Sequence, residues 1–368
     1  MKIIHIITSL ESGGAESNLY KIVTNDDINT HIIISLSTLG IYGKKFIEKG
    51  IIVYSLNLNN YILIFSSIKK IFKIINNYKP DIIHSWMYHS NLITILIFFK
   101  FKKVKIIWNI RGSFEKELTK LKTKLIIYLC SFFSYFIPSK IVYCSKYSMI
   151  THEKIFYNKN ISLFIPNGFL IPEIFNIKEK KNDFLKYYNL NKKTFVIGMA
   201  ARFDPHKDYE NLFKVIKMTS SLENKIIFLL AGKDINYNNI HLMKLINNFK
   251  ISKKIILLDN YDNINDFYSI LDLHILVSLS ESFPNVIAES MSVGIPNIST
   301  AVGEAKNIIN DKGWIVSRNN PNNFYKSLIA AMKLFENKDL WNDLKKSCIE
   351  EIKKNYSLEK MLSNYNKI

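Results

Sequence analysis

The chain has 368 residues, of which 48% are hydrophobic, and a formal net charge of +19 from 50 basic and 31 acidic side chains. This composition supports a folded protein throughout and gives enough length for two α/β domains with cores of ordinary size. The positive charge indicates anionic partners, namely nucleic acid, phosphate-bearing ligands or an acidic membrane surface, unless it reflects compositional drift toward lysine.

The sparse cysteines exclude a disulfide scaffold, because they have neither C-x-x-C nor metal-ligand spacing; they are Cys130, Cys144 and Cys348. A reducing cytoplasm is the expected compartment. The start of the chain has too short an apolar core for a secretory signal. The apolar segments 92–101 and 125–137 are shorter than the ~18 residues that span a bilayer, so we expect core helices or interfacial elements.

The first half of the chain alternates short apolar runs with patterns of helical length, as a doubly wound parallel sheet requires. The runs that predict strands are 2–8, 31–36, 51–55, 81–84, 105–110, 140–144 and 161–166. Gly13 and Gly14 lie between the first strand and a helix predicted over 15–23. Their backbone can turn sharply and approach a ligand, although a tight turn without a ligand is the alternative.

A second series of strands follows a polar, loosely helical stretch over 178–193, in which we place the connection between domains. The runs that predict strands here are 195–200, 225–231, 255–258 and 273–279. A helix is predicted over 209–218, and 321–368 is helical in pattern and basic. The two series predict two Rossmann-like domains, 1–172 and 173–351, that face each other across a cleft at the carboxyl ends of their strands.

A strand, a loop and a helix are predicted around the stretch SLSESFPNVIAESMSVGIP, residues 278–296. Glu281 falls in the loop at the helix N-terminus, and Glu289 lies roughly one and a half turns further in. Two such carboxylates could hold a polyhydroxyl ligand, and the free N–H groups of the loop could receive a phosphate. The alternative is that Glu281 interacts with the helix dipole and Glu289 is solvated.

A second motif, ARFDPHKD over 201–208, lies between a predicted strand and a helix N-terminus. Arg202 offers a planar fork for two phosphate oxygens and Lys207 a point charge, so together they could neutralise a diphosphate. The alternative is a basic surface loop in which Asp204 and Asp208 pair with these charges.

Together the two motifs resemble the donor-site signature of the retaining glycosyltransferases of family 4, E-G-[FY]-[PG]-x4-E preceded by G-R-[FL]-x-x-x-K. The chain departs from this signature at Ser282 and Ala201, where glycine is usual. The resemblance implies a GT-B fold and a helix over about 352–368 that packs back on the first domain. It also implies transfer without metal or other cofactor, and no Asp-x-Asp or histidine cluster with ligand spacing lies near the motifs.

The resemblance also implies roles for the residues of the donor site. Arg202 and Lys207 would hold the diphosphate, Glu281 the transferred sugar and Glu289 the ribose hydroxyls. Backbone groups around the second motif would lie near sugar and phosphate, at Ser282, Phe283, Pro284 and Asn285. We read the catalysis as positioning plus electrostatic stabilisation, with Arg202, Lys207 and Glu281 as its residues in this half.

In the first half, SWMYHSN over 85–91 and WNIRGS over 108–113 resemble acceptor-side loops of one branch of the same family, which pairs them with a G-G-A-E first loop. We expect this loop to contact the donor through Gly13 and Gly14. The implied acceptor-side residues are His84, Trp86, His89 and Arg111. His89 is the favoured catalytic histidine, and Arg111 would contact phosphate or acceptor, although a lone histidine is more often packed or solvated.

These features predict transfer of a hexose or N-acetylhexosamine, from UDP-sugar in preference to other donors, to a lipid-linked or polysaccharide acceptor in cell-surface glycan synthesis. The alternatives are a sugar-nucleotide epimerase or phosphorylase of the same architecture, or a basic nucleic-acid-binding protein. The last lacks base-stacking aromatic residues interleaved with basic ones, so we expect no nucleic-acid partner.

Residues 92–125 carry nine basic side chains against two acidic ones. Interleaved aromatic residues, Phe98, Phe99, Phe101 and Phe114, predict reversible docking of this segment on the anionic inner face of the cell membrane. The alternative is a buried helix flanked by solvated lysines.

Overall fold

The computed structural model describes residues 1–58, 64–117, 119–173, 177–222, 225–259 and 264–368. The chain divides into two compact units, the first formed by 1–168 together with 358–368 and the second by 169–357. The domain boundaries predicted near 172 and 352 differ from these divisions by a few residues. Each unit is built on one parallel sheet, which confirms the two-domain α/β prediction.

The first unit contains a seven-stranded parallel sheet with the order β3-β2-β1-β4-β5-β6-β7. The strands are β1 (Lys2–Ile7), β2 (Thr30–Ser35), β3 (Ile52–Ser55), β4 (Ile82–Trp86), β5 (Lys105–Ile110), β6 (Lys140–Tyr143) and β7 (Ser162–Phe164). Isoleucine dominates because helices bury both faces, as at Ile4, which lies beside Ile32 and Ile83. The strand order reverses at β1 and β4, the place where parallel sheets bind ligands.

Helices cover both faces of this sheet. They are α1 (Gly14–Thr24), α2 (Gly40–Glu48), α3 (Ile64–Tyr78), α4 (Tyr88–Lys100), α5 (Leu121–Phe133) and α6 (Lys146–Glu153). One face packs against α1, α2 and a C-terminal helix, with Phe46 and Met361 in its core. The other packs against α3, α4 and α5, with Ile75, Ile97 and Ile127 in its core.

The second unit contains a six-stranded parallel sheet with the order β10-β9-β8-β11-β12-β13. The strands are β8 (Phe195–Ala200), β9 (Ile226–Ala231), β10 (Ile255–Leu257), β11 (Leu273–Leu276), β12 (Asn297–Thr300) and β13 (Gly313–Val316). Strands β12 and β13 were not predicted. The buried β12 has the polar sequence NIST, and its Asn297 is accommodated because it hydrogen bonds with Ser290 and His274.

The helices of the second unit and of the tail complete the fold. They are α7 (Ile177–Tyr187), α8 (Tyr209–Met218), α9 (Ile240–Phe249), α10 (Ile264–Ser269), α11 (Asn285–Ser292), α12 (Ala305–Ile309), α13 (Pro321–Glu336), α14 (Lys338–Asn355) and α15 (Leu358–Tyr365).

Helix α7 occupies much of the stretch in which the inter-domain connection was predicted. That placement was wrong, because Lys180 and Lys181 form ion pairs with Asp266 and Asp272 within the second unit.

Candidate active site

The loop after β8 is shaped by its own aspartates. The Asp204 carboxylate accepts hydrogen bonds from the His206 backbone N–H (2.9 Å) and from Nε of Arg202 (3.1 Å), which folds 205–207 into a 3₁₀ turn. Asp208, at φ 49°, then caps α8 by accepting from the Asn211 backbone N–H at 3.3 Å. The Arg202 side chain is 58% exposed and the Lys207 side chain 16%, so the loop presents one largely exposed cation and one mostly buried cation.

An ion pair joins the two sequence motifs. Nζ of Lys207 contacts Oε1 of Glu281, and both side chains are mostly buried, at 16% and 15% exposed. The Ser278 hydroxyl donates to the same carboxylate oxygen at 2.8 Å. The Leu279 backbone N–H donates to the His206 carbonyl at 2.8 Å, so the backbones of the two loops are also tied. The sequence predicted both residues in one site but not their pairing.

Residues 303–304 pack against the loop that carries Glu281 and hydrogen bond to it. The Glu304 N–H donates to the Ser282 carbonyl at 3.0 Å. Gly303 has φ +49°, and a Cβ there would lie 2.3 Å from the Ser282 carbonyl oxygen, so only glycine fits. Arg318, which the sequence analysis missed, donates from Nη1 to the Leu279 carbonyl at 2.7 Å.

Helix α11 brings Glu289 to a buried tyrosine. Ser282, Phe283 and Pro284 are buried and precede the helix, which begins at Asn285. The Tyr268 hydroxyl donates to Oε2 of Glu289 at 3.2 Å.

Burial first, and then the charge of Glu289, raise the pKa of Tyr268 well above its usual range, so the phenol stays protonated and donates. Glu289 is therefore an oriented carboxylate of a half-buried side chain, not a solvated helix residue. Tyr268 could not be predicted as part of the site, because a buried tyrosine in α10 has the same local sequence as an ordinary core residue.

In the first unit, Gly13 and Gly14 lie at the carboxyl end of β1, where α1 begins. Gly13 has an extended backbone, and a Cβ there would lie 2.4 Å from a carboxylate oxygen of Glu16. Burial raises the pKa of Glu16. A Cβ at Gly13 would therefore meet only the flexible end of the Glu16 side chain, which can move aside. The expected donor contact of both glycines stays a prediction.

Two of the residues expected on the acceptor side lie inside the sheet. Trp86 is fully buried, and its indole N–H donates to Nδ1 of His5 at 3.2 Å. His84 is 4% exposed, lies 3.2 Å from the Asn109 amide, and burial lowers its pKa to about 3. Side chains in these positions cannot touch an acceptor, so a direct contact by His84 or Trp86 is corrected to a role in packing.

Arg111 also serves the fold. Its guanidinium donates to Asn167 at 2.9 Å and to the Tyr365 hydroxyl, and it lies 4.9 Å from the centre of the Trp86 ring. Tyr365 belongs to α15 and in turn donates to Asn109 at 2.8 Å. These bonds anchor the C-terminal helix to the first unit, and the expected contact of Arg111 with phosphate or acceptor stays a prediction.

His89 occupies a different environment, in the first turn of α4 at the surface. Partial burial lowers its pKa, which favours the neutral imidazole. It lines a cavity of about 540 Å³ whose other walls are mostly apolar: Thr8, Ser9, Leu36, Ser37, Leu58, Ile68, Leu92, Ile93 and Leu96. Thr8 and Ser37 follow β1 and β2, so the cavity opens at the carboxyl end of the sheet.

Within the ranges that the structure describes, no group of three or more His, Cys, Asp or Glu side chains could hold a metal ion. Over the same residues, no helix is both long and apolar enough to cross a membrane. Transfer without metal stays a prediction.

The two loops of the second unit lie inside a recognised domain. Residues 180–355 match the family described as glycosyl transferases group 1, a range that includes Arg202, Lys207, Glu281 and Glu289. The second unit carries a glycosyl transferases group 1 domain.

Glycosyltransferases are similar to most of the chain, beyond the matched domain. An uncharacterized glycosyltransferase, MJ1059 of Methanocaldococcus jannaschii, is 26% identical over 80% of this chain and 72% of its own length. The UDP-Gal:alpha-D-GlcNAc-diphosphoundecaprenol alpha-1,3-galactosyltransferase of Escherichia coli is 24% identical over 80% of this chain and 76% of its own length.

Among solved structures, Alr3699/HepE of Anabaena in complex with UDP-glucose superposes with a TM-score of 0.85. The match covers all of this chain and 98% of that one, at 15% identity. At this identity the likeness shows the fold alone, and it confirms the predicted GT-B type.

Proposed function

We propose that the protein transfers a hexose or N-acetylhexosamine from a UDP-sugar to a polyprenyl-diphosphate-linked glycan, with retention of configuration and without metal, in cell-surface glycan synthesis. The observation that carries this proposal is the Lys207–Glu281 ion pair. It places a cation that can bind the diphosphate beside a carboxylate that can bind the sugar. Both lie within the group 1 domain.

In this proposal the second unit neutralises the leaving group. Arg202, largely exposed, can swing its planar fork onto two phosphate oxygens, while Lys207 is held in place by Glu281. As the bond between sugar and diphosphate breaks, negative charge grows on the diphosphate, and the two cations stabilise it most at that stage.

The two carboxylates would orient the rest of the donor. Glu281, held by Lys207 and Ser278, would accept hydrogen bonds from hydroxyls of the transferred sugar. Glu289, held by Tyr268, would accept hydrogen bonds from the ribose hydroxyls. Each carboxylate is positioned before the donor arrives, which reduces the entropy lost on binding.

His89 would act on the acceptor side. Its lowered pKa keeps the imidazole neutral near pH 7, so it can accept a proton from an acceptor hydroxyl. The choice of UDP is supported by the UDP-glucose complex of HepE and by the UDP-Gal donor in the name of the Escherichia coli relative. The latter name also contains a diphosphoundecaprenol acceptor, which supports the lipid-linked class.

A donor panel tests the proposal. Release of nucleoside diphosphate is measured from UDP-, GDP- and ADP-sugars in the presence of an extracted fraction of polyprenyl-linked glycans. We expect release from UDP-sugars alone, with loss of release in Arg202→Ala and Lys207→Ala. Lys346→Ala, which removes an exposed lysine of α14, is the matched control and should behave as wild type. Wild-type rates in both site variants would contradict the assignment.

A further inference from the structure

Helix α5 and the turn after it expose a continuous apolar stripe. Seven large apolar side chains form this stripe, and each is 44–74% exposed: Leu121, Leu125, Tyr128, Leu129, Phe132, Tyr135 and Phe136. Their spacing of three and four residues is that of one side of a helix. The opposite side is buried in the core through Ile127 and Cys130, which are 1% and 0% exposed.

Such a stripe is unusual for a surface that meets only water. Single exposed apolar residues are common, but contiguous apolar patches of several large side chains mark interaction sites. Two of the members are tyrosines, whose rings combine an apolar body with a polar tip and suit a boundary between apolar material and water.

The charge around the stripe indicates what covers it. From Lys120 to Lys140 the sequence contains four lysines and no Asp or Glu. Three of them, Lys120, Lys122 and Lys124, cluster at the start of α5. An apolar helix face beside lysines matches an anionic membrane, in which an apolar interior lies under negatively charged headgroups. A second copy of the chain fits less well, because each copy carries +19.

The same observations correct the docking segment expected from the sequence. Of its aromatic residues, Phe114 is 7% exposed, and Phe98 and Phe101 pack against the core of the first unit. Phe99 alone among these four is well exposed, at 65%. The exposed apolar surface therefore lies mainly on α5, which shares 121–125 with the predicted segment and continues beyond it.

We propose that α5 lies in the plane of an anionic membrane, with Leu125, Leu129 and Phe132 in the apolar interface and the lysines 120, 122 and 124 among the headgroups. The inference deepens the proposed function and rests on it for its purpose, since it would hold the first unit beside a membrane-borne acceptor. Binding to lipid itself requires no turnover.

Co-sedimentation of the full chain with vesicles tests this. We expect binding to vesicles of equal parts phosphatidylcholine and phosphatidylglycerol, and none to phosphatidylcholine alone. The triple variant Leu125→Gln/Leu129→Gln/Phe132→Gln should bind at least about tenfold more weakly. Neutralising lysines 120, 122 and 124 to Gln should weaken binding about a hundredfold, since each lysine near an anionic surface contributes roughly fivefold.

The matched control is Ile240→Gln/Leu340→Gln, which removes two apolar side chains of the second unit that are 80% and 53% exposed. It should bind vesicles as wild type does. Circular dichroism and UDP affinity show whether each variant folds, so loss of lipid binding with retained UDP binding supports the inference independently of transfer.

Three results would overturn the docking proposal. The first is equal vesicle binding by the wild type and the apolar triple variant. The second is absence of wild-type binding to either vesicle. The third is a wild-type dimer in analytical ultracentrifugation that the triple variant converts to monomer, which would assign the stripe to a second copy.

Discussion

Replacing Tyr268 with phenylalanine should weaken nucleotide binding even though Tyr268 itself is fully buried. The substitution removes one hydroxyl, which donates to Glu289 at 3.2 Å, and leaves the ring in place against His274. If Glu289 holds the ribose, its carboxylate then loses the bond that orients it.

The expected size follows from the geometry. A hydrogen bond to a charged group contributes about 1.5–3 kcal/mol. The 3.2 Å separation is at the long end of the range, and water can reach the half-buried Glu289, so we expect about 1 kcal/mol. This corresponds to roughly a fivefold rise in the Kd for UDP. Glu289→Gln should cost more, because it removes the charge as well.

Isothermal titration of UDP into wild type, both single variants and the double variant measures this. In the Glu289→Gln background the tyrosine substitution should have little further effect, since the two residues act as a unit. Tyr157→Phe is the matched control, because Tyr157 is a buried tyrosine of the first unit whose hydroxyl donates to the Ile127 carbonyl. An unchanged Kd in Tyr268→Phe, or an equal loss in both backgrounds, would refute the reasoning.

Three further predictions follow from the site and the core. Lys207→Ala should abolish turnover and lower the free energy of unfolding by roughly 2 kcal/mol, because it removes the cation beside the mostly buried Glu281 carboxylate; Glu281→Gln in the same chain should restore the urea midpoint but not turnover. EDTA should leave transfer unchanged, and loss that Mn²⁺ or Mg²⁺ restores would contradict this. Burial lowers the pKa of His84 to about 3 and those of His152 and His274 to about 4, below the ~6.5 of the unfolded chain. The unfolded chain therefore binds more protons below pH 6.5, so stability should be full above that pH and fall toward pH 4 by up to ~1.4 kcal/mol per unit per histidine. A urea midpoint equal at pH 7.5 and pH 5 would contradict this.

The sequence predicted those parts of the molecule that local patterns determine. Strands such as β5 and helices such as α8 have continuous apolar or periodic patterns, and their bounds were found as predicted. Strand β12 was not predicted, because its polar residue Asn297 is hydrogen bonded to side chains of β11 and α11. No local sequence pattern reveals these partners.

The motif residues of the candidate site could be predicted from the sequence, but the side chains that they bond to could not. The bond from Tyr268 to Glu289 joins different elements, and so does the pairing of Lys207 with Glu281. The bonds from Arg111 to Asn167 and Tyr365 were not predicted, because an arginine in a loop has the same local sequence whether or not it also anchors a helix. Helix α5 is apolar on nearly every side, so its sequence could not separate the exposed face from the buried one.

The central claim is transfer of sugar from a UDP-sugar to a polyprenyl-linked acceptor, and partition of radiolabel tests it most directly. The full chain is incubated with a UDP-sugar labelled in the sugar and with N-acetylglucosaminyl-diphosphoundecaprenol, and label in the lipid phase is counted. The account predicts label in the lipid phase with wild type and with Lys346→Ala, and none with Lys207→Ala. Label that stays in the aqueous phase as UDP-sugar or free sugar across the panel of UDP-sugars, from a protein that binds UDP, would contradict it.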